Sequence, residues 1–207
     1  MSPRRGATWL RAGIAIALLG APALAYRLMP RGRAVLVASS TMSVVPATDW
    51  NRVDRHPGRH AERWTLDGTG LNALTFYAGI KGGMTLFREV DRRTRPLPRF
   101  SASMLAPDVV RLFESSCRLA GGSALFAVDD AAPAQFAGRP GFRFGYGFTR
   151  EEDGVRRQGE GTGAVIDGQL FLITYEAPAI HYFGHDLADY RAVVASARVG
   201  AAEAGNE

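Results

Sequence analysis

The fold is decided by residues 135–178, which read QFAGRPGFRFGYGFTREEDGVRRQGEGTGAVIDGQLFLITYEAP. Near the start of this stretch four aromatic residues, Phe142, Phe144, Tyr146 and Phe148, alternate with glycine or arginine. A period of two places alternate side chains on one face of a strand, so the four rings share a face. The pattern predicts a strand with an aromatic face, and packing under a helix is favoured over an open apolar ligand groove.

Two Asp-Gly pairs divide the remainder of this stretch, Asp153-Gly154 and Asp167-Gly168. Such pairs tolerate the positive φ values that tight hairpin turns require. The segments that they separate, 155–166 and 169–176, are predicted strands, and the second is apolar on both faces, as is typical of a strand inside a covered sheet. The stretch as a whole predicts an antiparallel meander.

Two helices are predicted to cover this sheet. The first, 107–120, begins with Pro107 and Asp108, which favour a helix start, and its apolar residues recur at steps of three and four. The second, 186–199, is expected to be capped by Asp186 and to have a similar apolar face. With a further hairpin at 63–66 and 71–78, the sequence predicts an α+β fold: a single antiparallel β-sheet covered by two main helices.

The N-terminal 25 residues have the pattern of a targeting segment. Three arginines precede the uncharged, mostly apolar run 12–25, and fourteen helical residues span about 21 Å, less than the ~30 Å of a bilayer core. This favours a cleaved signal peptide, with a membrane anchor as the alternative. We expect a linker or tether at 26–45, one α+β domain at 46–200 and a disordered tail at 201–207; translation from Met29 instead of Met1 is left open.

Composition excludes several classes of function. The net charge of +5 comes mainly from arginines near the N-terminus, so no dense basic stripe is predicted and nucleic-acid binding is not expected. Cys117 is the only cysteine, which excludes an internal disulfide, and its place on a helical apolar stripe indicates a core residue.

Histidines provide the best case for a metal site. His181 and His185 are four residues apart, with Glu176 nearby, and two histidines at this spacing can share a zinc ion when both lie on one helical turn. Gly184 weakens a helix here and the Glu of a metalloprotease motif is missing, so loop histidines are the favoured interpretation. The glycine-rich run 159–163 lacks the strand-then-helix context of a nucleotide loop and is interpreted as flexible or bulged β-structure. No cofactor is expected.

The second half of the chain resembles the PsbP-like α/β/α sandwich domains. The likeness covers residues 123–199 and is carried by FAG at 136–138, GFRF at 141–144, DGQLFLITYEAP at 167–178 and the helix end Ser196-Ala197-Arg198. The first half, including WTLDGTGLNALTF at 64–76, looks more like proteobacterial envelope proteins that share this ending. Domains of this kind generally act as assembly factors or accessory subunits without catalysis, so the resemblance implies a role and names no site residues.

These observations lead to one expectation and two alternatives. We expect a non-catalytic exported protein of the bacterial periplasm, with residues 12–25 as its only membrane contact, that binds another envelope protein. The first alternative is a module that binds a small apolar ligand or lipid on the aromatic face. The second is a metal-dependent enzyme that uses the histidines.

Overall fold

The computed structural model describes residues 26–121 and 125–200. In chain order the elements are β1 (Tyr26–Met29), β2 (Val35–Leu36), β3 (Met42–Val44), β4 (Trp50–Val53), β5 (Ala61–Thr65), β6 (Ala73–Ile80), α1 (Ala106–Gly121), β7 (Ala127–Val128), β8 (Ala132–Phe136), β9 (Arg139–Thr149), β10 (Arg156–Ile166), β11 (Gln169–Pro178), α2 (Tyr182–His185), α3 (Leu187–Ser196) and β12 (Arg198–Val199).

Two-residue turns join β8 to β9 and β10 to β11 in the four-stranded meander, and six residues join β9 to β10. Asp167 and Gly168, between β10 and β11, have φ values of 50° and 72°. Ala137 and Gly138, between β8 and β9, have nearly the same values, 51° and 73°. Two consecutive positive φ values are the mark of a type I′ turn, whose twist matches that of the flanking strands. Gly154 also has a positive φ, so each predicted Asp-Gly pair lies in a turn.

The main sheet has nine antiparallel strands in the described residues. Their order is β1-β4-β5-β6-β11-β10-β9-β7, and β8 pairs with the same edge of β9 as β7. β11 lies in the middle, between β6 and β10. Its residues from Leu170 to Tyr175 are all buried, as predicted for a strand covered on both faces.

One face of the sheet packs against α1. Asp108 accepts a hydrogen bond from the backbone N–H of Leu105 at 3.0 Å, which fixes the start of the helix. From there Val109 and Phe113 point into a cluster that also contains aromatic residues of β9 and apolar residues of β6 and β11. The predicted amphipathic helix is confirmed, and its apolar side covers the aromatic face.

The other face of the sheet packs against α2, α3 and a small second sheet of order β12-β3-β2. Trp50, Trp64 and Tyr190 are fully buried in this second cluster. The result is a sandwich of three layers, with helices and a small sheet around a central sheet. The predicted single sheet is therefore incomplete. The C-terminal helix α3 also ends at Ser196, and its predicted last residues form β12.

The structure corrects the predicted N-terminal boundary of the domain at residues 26–45. They were expected to form a linker or tether, but they contain β1, β2 and β3. Met29, Val37, Met42 and Val44 are buried in the core, so the domain includes this segment. Strands of two to four residues give too short a pattern for periodicity to detect. The signal or anchor expected at 1–25 and the tail expected at 201–207 lie outside the described residues.

Between residues 26 and 121 and between 125 and 200, no helix has the length and apolar character to span a bilayer.

Close packing between β9 and β10 gives a stability prediction. A Cβ added at Gly161 would lie 2.5 Å from Cζ of Phe144, so Gly161→Ala should force apart rings that α1 holds in place. We expect the free energy of unfolding to fall by about 1–3 kcal/mol, measured by urea denaturation with tryptophan fluorescence.

Gly147→Ala is the matched control, because the nearest atom to its added Cβ is the carbonyl oxygen of Arg157 at 3.6 Å. It should change the free energy of unfolding by less than about 1 kcal/mol. Equal losses in the two variants would contradict the argument from ring packing.

Candidate functional site

The predicted aromatic face lies inside the protein. Phe142, Phe144 and Tyr146 are buried, and the ring of Phe113 on α1 lies 5.3 Å from that of Phe144 and 5.2 Å from that of Tyr146, centroid to centroid. Phe148, the fourth ring, is half-buried. An apolar ligand would reach this face only if α1 moved, so a ligand role for these four residues stays a prediction.

The glycine-rich run on β10 is the complement of the aromatic row. Gly159, Gly161 and Gly163 lie directly opposite the three buried rings in the register of β9 and β10. A Cβ at Gly159 would collide with the ring of Tyr146. The run is β-structure, as interpreted from the sequence, but it is a regular strand and not the flexible or bulged one expected. The glycines at 159 and 161 leave room for aromatic rings.

The two C-terminal histidines lie near each other, but Glu176 does not join them. The rings of His181 and His185 are 6.1 Å apart, centroid to centroid. Tyr175 stacks on Phe183 of α2, and because successive side chains of a strand alternate in direction, Glu176 points to the opposite face. There it lies 3.9 Å from Arg150. In the described residues no three His, Cys, Asp or Glu side chains are gathered as a metal would require.

Sequence reasoning missed a buried polar cluster around Asp186. Asn72 is fully buried and donates from Nδ2 to Oδ2 of Asp186 at 3.0 Å and to Oδ2 of Asp67 at 2.9 Å. Its Oδ1 accepts from the hydroxyl of Thr65 at 2.7 Å and the N–H of Leu66 at 2.8 Å. The cluster joins the β5–β6 hairpin to the start of α3.

The structure corrects the prediction that Asp186 caps the C-terminal helix with its side chain. Asp186 occupies the cap position of α3, but its side chain forms no capping hydrogen bond. The carboxylate instead reaches Asn72, more than a hundred residues earlier in the chain, and the imidazole Nδ1 of His185 at 2.5 Å. A local pattern contains no information about so distant a partner, although a polar residue directly before the buried strand β6 was a usable signal.

The electrostatics of this cluster favour a charged His185. Its hydrogen bond to Asp186, and then the negative charge of Asp186, raise the pKa of His185 above 6.5. Burial first, and then the charge of Asp186, raise the pKa of Tyr175. A His–Asp pair supplies two of the three members of a hydrolytic triad. No Ser, Thr or Cys of the described residues hydrogen-bonds to His185, and the Asp186 carboxylate is shared with Asn72.

The surface at the same end of the sheet carries three exposed apolar residues, which we call the apolar rim: Leu125 (76% exposed), Val155 (36%) and Ile180 (87%). They come from neighbouring strands. Ile180 follows β11, Val155 precedes β10, and Leu125 precedes β7 on the far side of β9. The N–H of Ala179 donates to the carbonyl of Arg156 at 2.9 Å, which joins the first two segments.

Ile180 is presented by a strained turn. The N–H of Tyr182 donates to the carbonyl of Ile180 at 2.9 Å, and the central residue, His181, has φ 71° and ψ −54°. This is the positive-φ form of the γ-turn, which is rare and strained. Backbone strain of this kind costs about 1–3 kcal/mol and concentrates at functional positions. The turn places His181 and Ile180 at the surface instead of in the core.

Comparison with known proteins identifies the fold class. The solution structure of cyanobacterial PsbP (CyanoP) from Synechocystis sp. PCC 6803 matches with a TM-score of 0.50 and 13% identity, over 93% of this chain and 98% of that chain. The crystal structure of LpqN, involved in cell envelope biogenesis of Mycobacterium tuberculosis, gives a TM-score of 0.36 and 12% identity over 88% of each chain. No protein-family model and no curated protein sequence matches. The chain has a PsbP-like fold, as the resemblance implied.

The polar cluster gives a second stability prediction. Asn72→Ala removes the side-chain amide that contacts Oδ2 of Asp186, Asp67, Thr65 and the N–H of Leu66, and an unsatisfied buried polar group costs about 1–3 kcal/mol. We expect a loss of about 2–4 kcal/mol in the free energy of unfolding, measured in urea.

Asn51→Ala serves as the comparison, because Asn51 on β4 is half-buried and makes one long side-chain hydrogen bond, 3.5 Å to the carbonyl of Leu66. It should cost less than about 1 kcal/mol. If Asn72→Ala is no more harmful than this, the cluster does not hold the hairpin to α3.

The His185–Asp186 pair predicts a pH dependence of stability. Because the folded-state pKa of His185 is raised, the pair contributes its full stability below the unfolded pKa of about 6.5 and loses it as pH rises through the folded value. NMR titration of the imidazole should show a pKa above 6.5 in the wild type and a lower pKa in Asp186→Asn.

His60 is an internal reference for this titration. Burial, and then the charges of Arg59 and Lys81, lower its pKa, and these groups are unchanged in Asp186→Asn. A pKa of His185 that is the same in the wild type and the variant would show that the short contact with Asp186 does not form in solution.

Proposed function

We propose that this protein is a non-catalytic accessory or assembly factor of the bacterial envelope that binds another envelope protein through the apolar rim. The observation that carries the proposal is Ile180, a large apolar side chain 87% exposed beside a strained γ-turn. The turn holds the side chain of Ile180 away from the core. Ile180 therefore contributes no burial of apolar area to the stability of the domain itself. A partner that covers an isoleucine gains roughly 1.5–3 kcal/mol.

The surroundings of the rim fit a protein partner. Val155 and Leu125 extend the apolar surface across neighbouring strands, and the charged side chains of Glu151 and Arg156 border it. An apolar centre with a polar border is the usual composition of a protein–protein interface. Isolated exposed apolar residues are common on proteins, but three at one end of a sheet, one of them beside a strained turn, favour a binding surface.

A catalytic role has less support. The His185–Asp186 pair and Asn72 are used to join the hairpin to α3, and the aromatic face lies beneath α1. The PsbP-like fold supports an accessory role by analogy of fold alone. Export to the periplasm rests on the sequence pattern of residues 12–25 and is part of the proposal.

Site-specific photocrosslinking tests this function in cells. A photoreactive phenylalanine analogue in place of Ile180 should give one adduct of defined mass with an envelope protein, because the side chain lies within the interface. The same analogue in place of Leu36, which is 66% exposed on the small sheet, should not give that adduct.

Ile180→Asp supplies the second arm. With the photoreactive group at Val155, this substitution should abolish the adduct by placing a carboxylate in an apolar contact, while leaving the thermal stability of the domain unchanged. Failure to obtain an adduct from any of the three rim positions, at native expression level, would refute the proposed interface.

A further inference from the structure

Two loops at the other end of the sheet form a basic surface. The first loop, 54–60, connects β4 to β5, and the second, 81–105, connects β6 to α1. The N–H of Arg88 donates to the carbonyl of Pro57 at 2.9 Å, so the loops pack together. Eight cations of these loops are exposed, and one of them, Arg99, pairs with Glu89. The basic surface is made of the other seven: Arg55, Arg59, Lys81, Arg88, Arg92, Arg93 and Arg95.

The carboxylates of the second loop are used to fold it. Glu89 accepts from the guanidinium of Arg99 at 3.0 Å and from the N–H of Leu97 at 3.3 Å. Asp91 accepts from the N–H groups of Arg93 at 3.2 Å and Thr94 at 3.0 Å. Both carboxylates are therefore engaged in contacts within the loop, although Asp91 itself stays exposed, and the loop presents its cations to solvent.

The cations of the basic surface lack acidic partners of their own. Within the described ranges, none of the seven forms an ion pair with a carboxylate. The near-neutral charge expected for the domain as a whole conceals this concentration: residues 81–99 hold six basic and two acidic side chains. Such a surface attracts an anionic partner.

Val90 indicates which kind of anionic partner fits. Among the described residues it is the most exposed large apolar side chain, at 97%, and Arg88 and Arg92 lie two residues before and after it, beyond Glu89 and Asp91. An exposed apolar side chain in a loop rich in arginine suits the boundary of a bilayer, where the apolar group enters the acyl region and the guanidinium groups bind phosphates. An acidic protein surface would pair with the cations but would offer the valine side chain no apolar contact.

The position of the basic surface also points to a membrane. Tyr26, the first described residue, pairs with Val53 directly before the first loop, so the chain enters the domain at this end of the sheet. The apolar run 12–25 precedes it immediately in the sequence. If this run stays in a bilayer, as in the anchor alternative, the chain meets that bilayer at the end of the sheet that carries the basic surface.

We propose that the basic surface binds the anionic headgroups of a lipid bilayer, with Val90 inserted at its boundary. This adds a second membrane contact to the one expected through residues 12–25, and it does not depend on the proposed protein partner. The chemical group that the cations recognise is a phosphate, and we assign it to the headgroups of an anionic phospholipid bilayer.

The test places an environment-sensitive fluorophore on the loop. The full chain carries Cys117→Ala, which removes its only other thiol, and Val90→Cys, which is labelled and mixed with vesicles. With vesicles of phosphatidylcholine and phosphatidylglycerol, the emission should shift to the blue and strengthen. With pure phosphatidylcholine it should change little, and 0.5 M salt should weaken the response because it screens surface charge.

Two controls separate the loop from the rest of the chain. The same label at Ile180→Cys, on the apolar rim, should not respond to either vesicle, even if residues 12–25 insert. Arg92→Gln, Arg93→Gln and Arg95→Gln together should reduce the response at position 90 to the level of pure phosphatidylcholine. Arg156→Gln, Arg191→Gln and Arg198→Gln remove the same charge from other surfaces and should leave it intact.

Several results would overturn the proposal. These are no change of the label at position 90 with anionic vesicles, an equal change with neutral vesicles, or an equal change at position 180. A response to soluble polyglutamate in the absence of a response to vesicles would assign the surface to an acidic protein instead. Because the labelled Val90→Cys chain retains all seven cations, its result stands even if the triple variants fold poorly.

Discussion

The packing of aromatic rings on glycines between β9 and β10 is the constraint on which the rest of the fold depends. Phe144 and Tyr146 lie over Gly161 and Gly159, at positions where any Cβ would overlap a ring. Removing the side chains of one strand lets the rings of the next lie flat on the sheet, and the resulting apolar surface must be covered. The helix α1 covers it, with the ring of Phe113 at the centre of the contact.

The opposite face of the sheet is closed by segments that are far apart in the chain. β3 and β12 pair with each other, so residues near the two ends of the described chain form one small sheet. Asn72 and Asp186 make a similar long-range connection between a hairpin and α3. The first of these contacts to form closes a long loop and loses the entropy of loop closure. The contacts that follow then form within a loop that is already closed. These long-range contacts explain why residues 26–45 belong to the domain.

Elements could be predicted from the sequence where the residues that determine them lie within one short segment. The alternation of β9, the Asp-Gly pair at 167–168 and the apolar stripe of α1 each predict an element without reference to the rest of the chain. Prediction failed where a residue's role depends on a distant partner. Asp186 has the sequence context of a helix cap, but its carboxylate is taken by Asn72. The γ-turn at His181 has no Gly or Asn-Gly pair to announce it, and positive φ is uncommon for any residue other than glycine.

The antiparallel topology determines how the two proposed surfaces are related. The chain enters at the start of β1, beside the basic surface, and the apolar rim follows the end of β11. The ten residues of β11 run from one end to the other, about 34 Å at roughly 3.4 Å per residue. With a bilayer bound at the basic surface, the apolar rim would therefore point away from the bilayer. A membrane-attached partner would reach the rim only with a domain that extends this far from the bilayer. This geometry favours a partner with a substantial domain outside the bilayer over one that is confined to it.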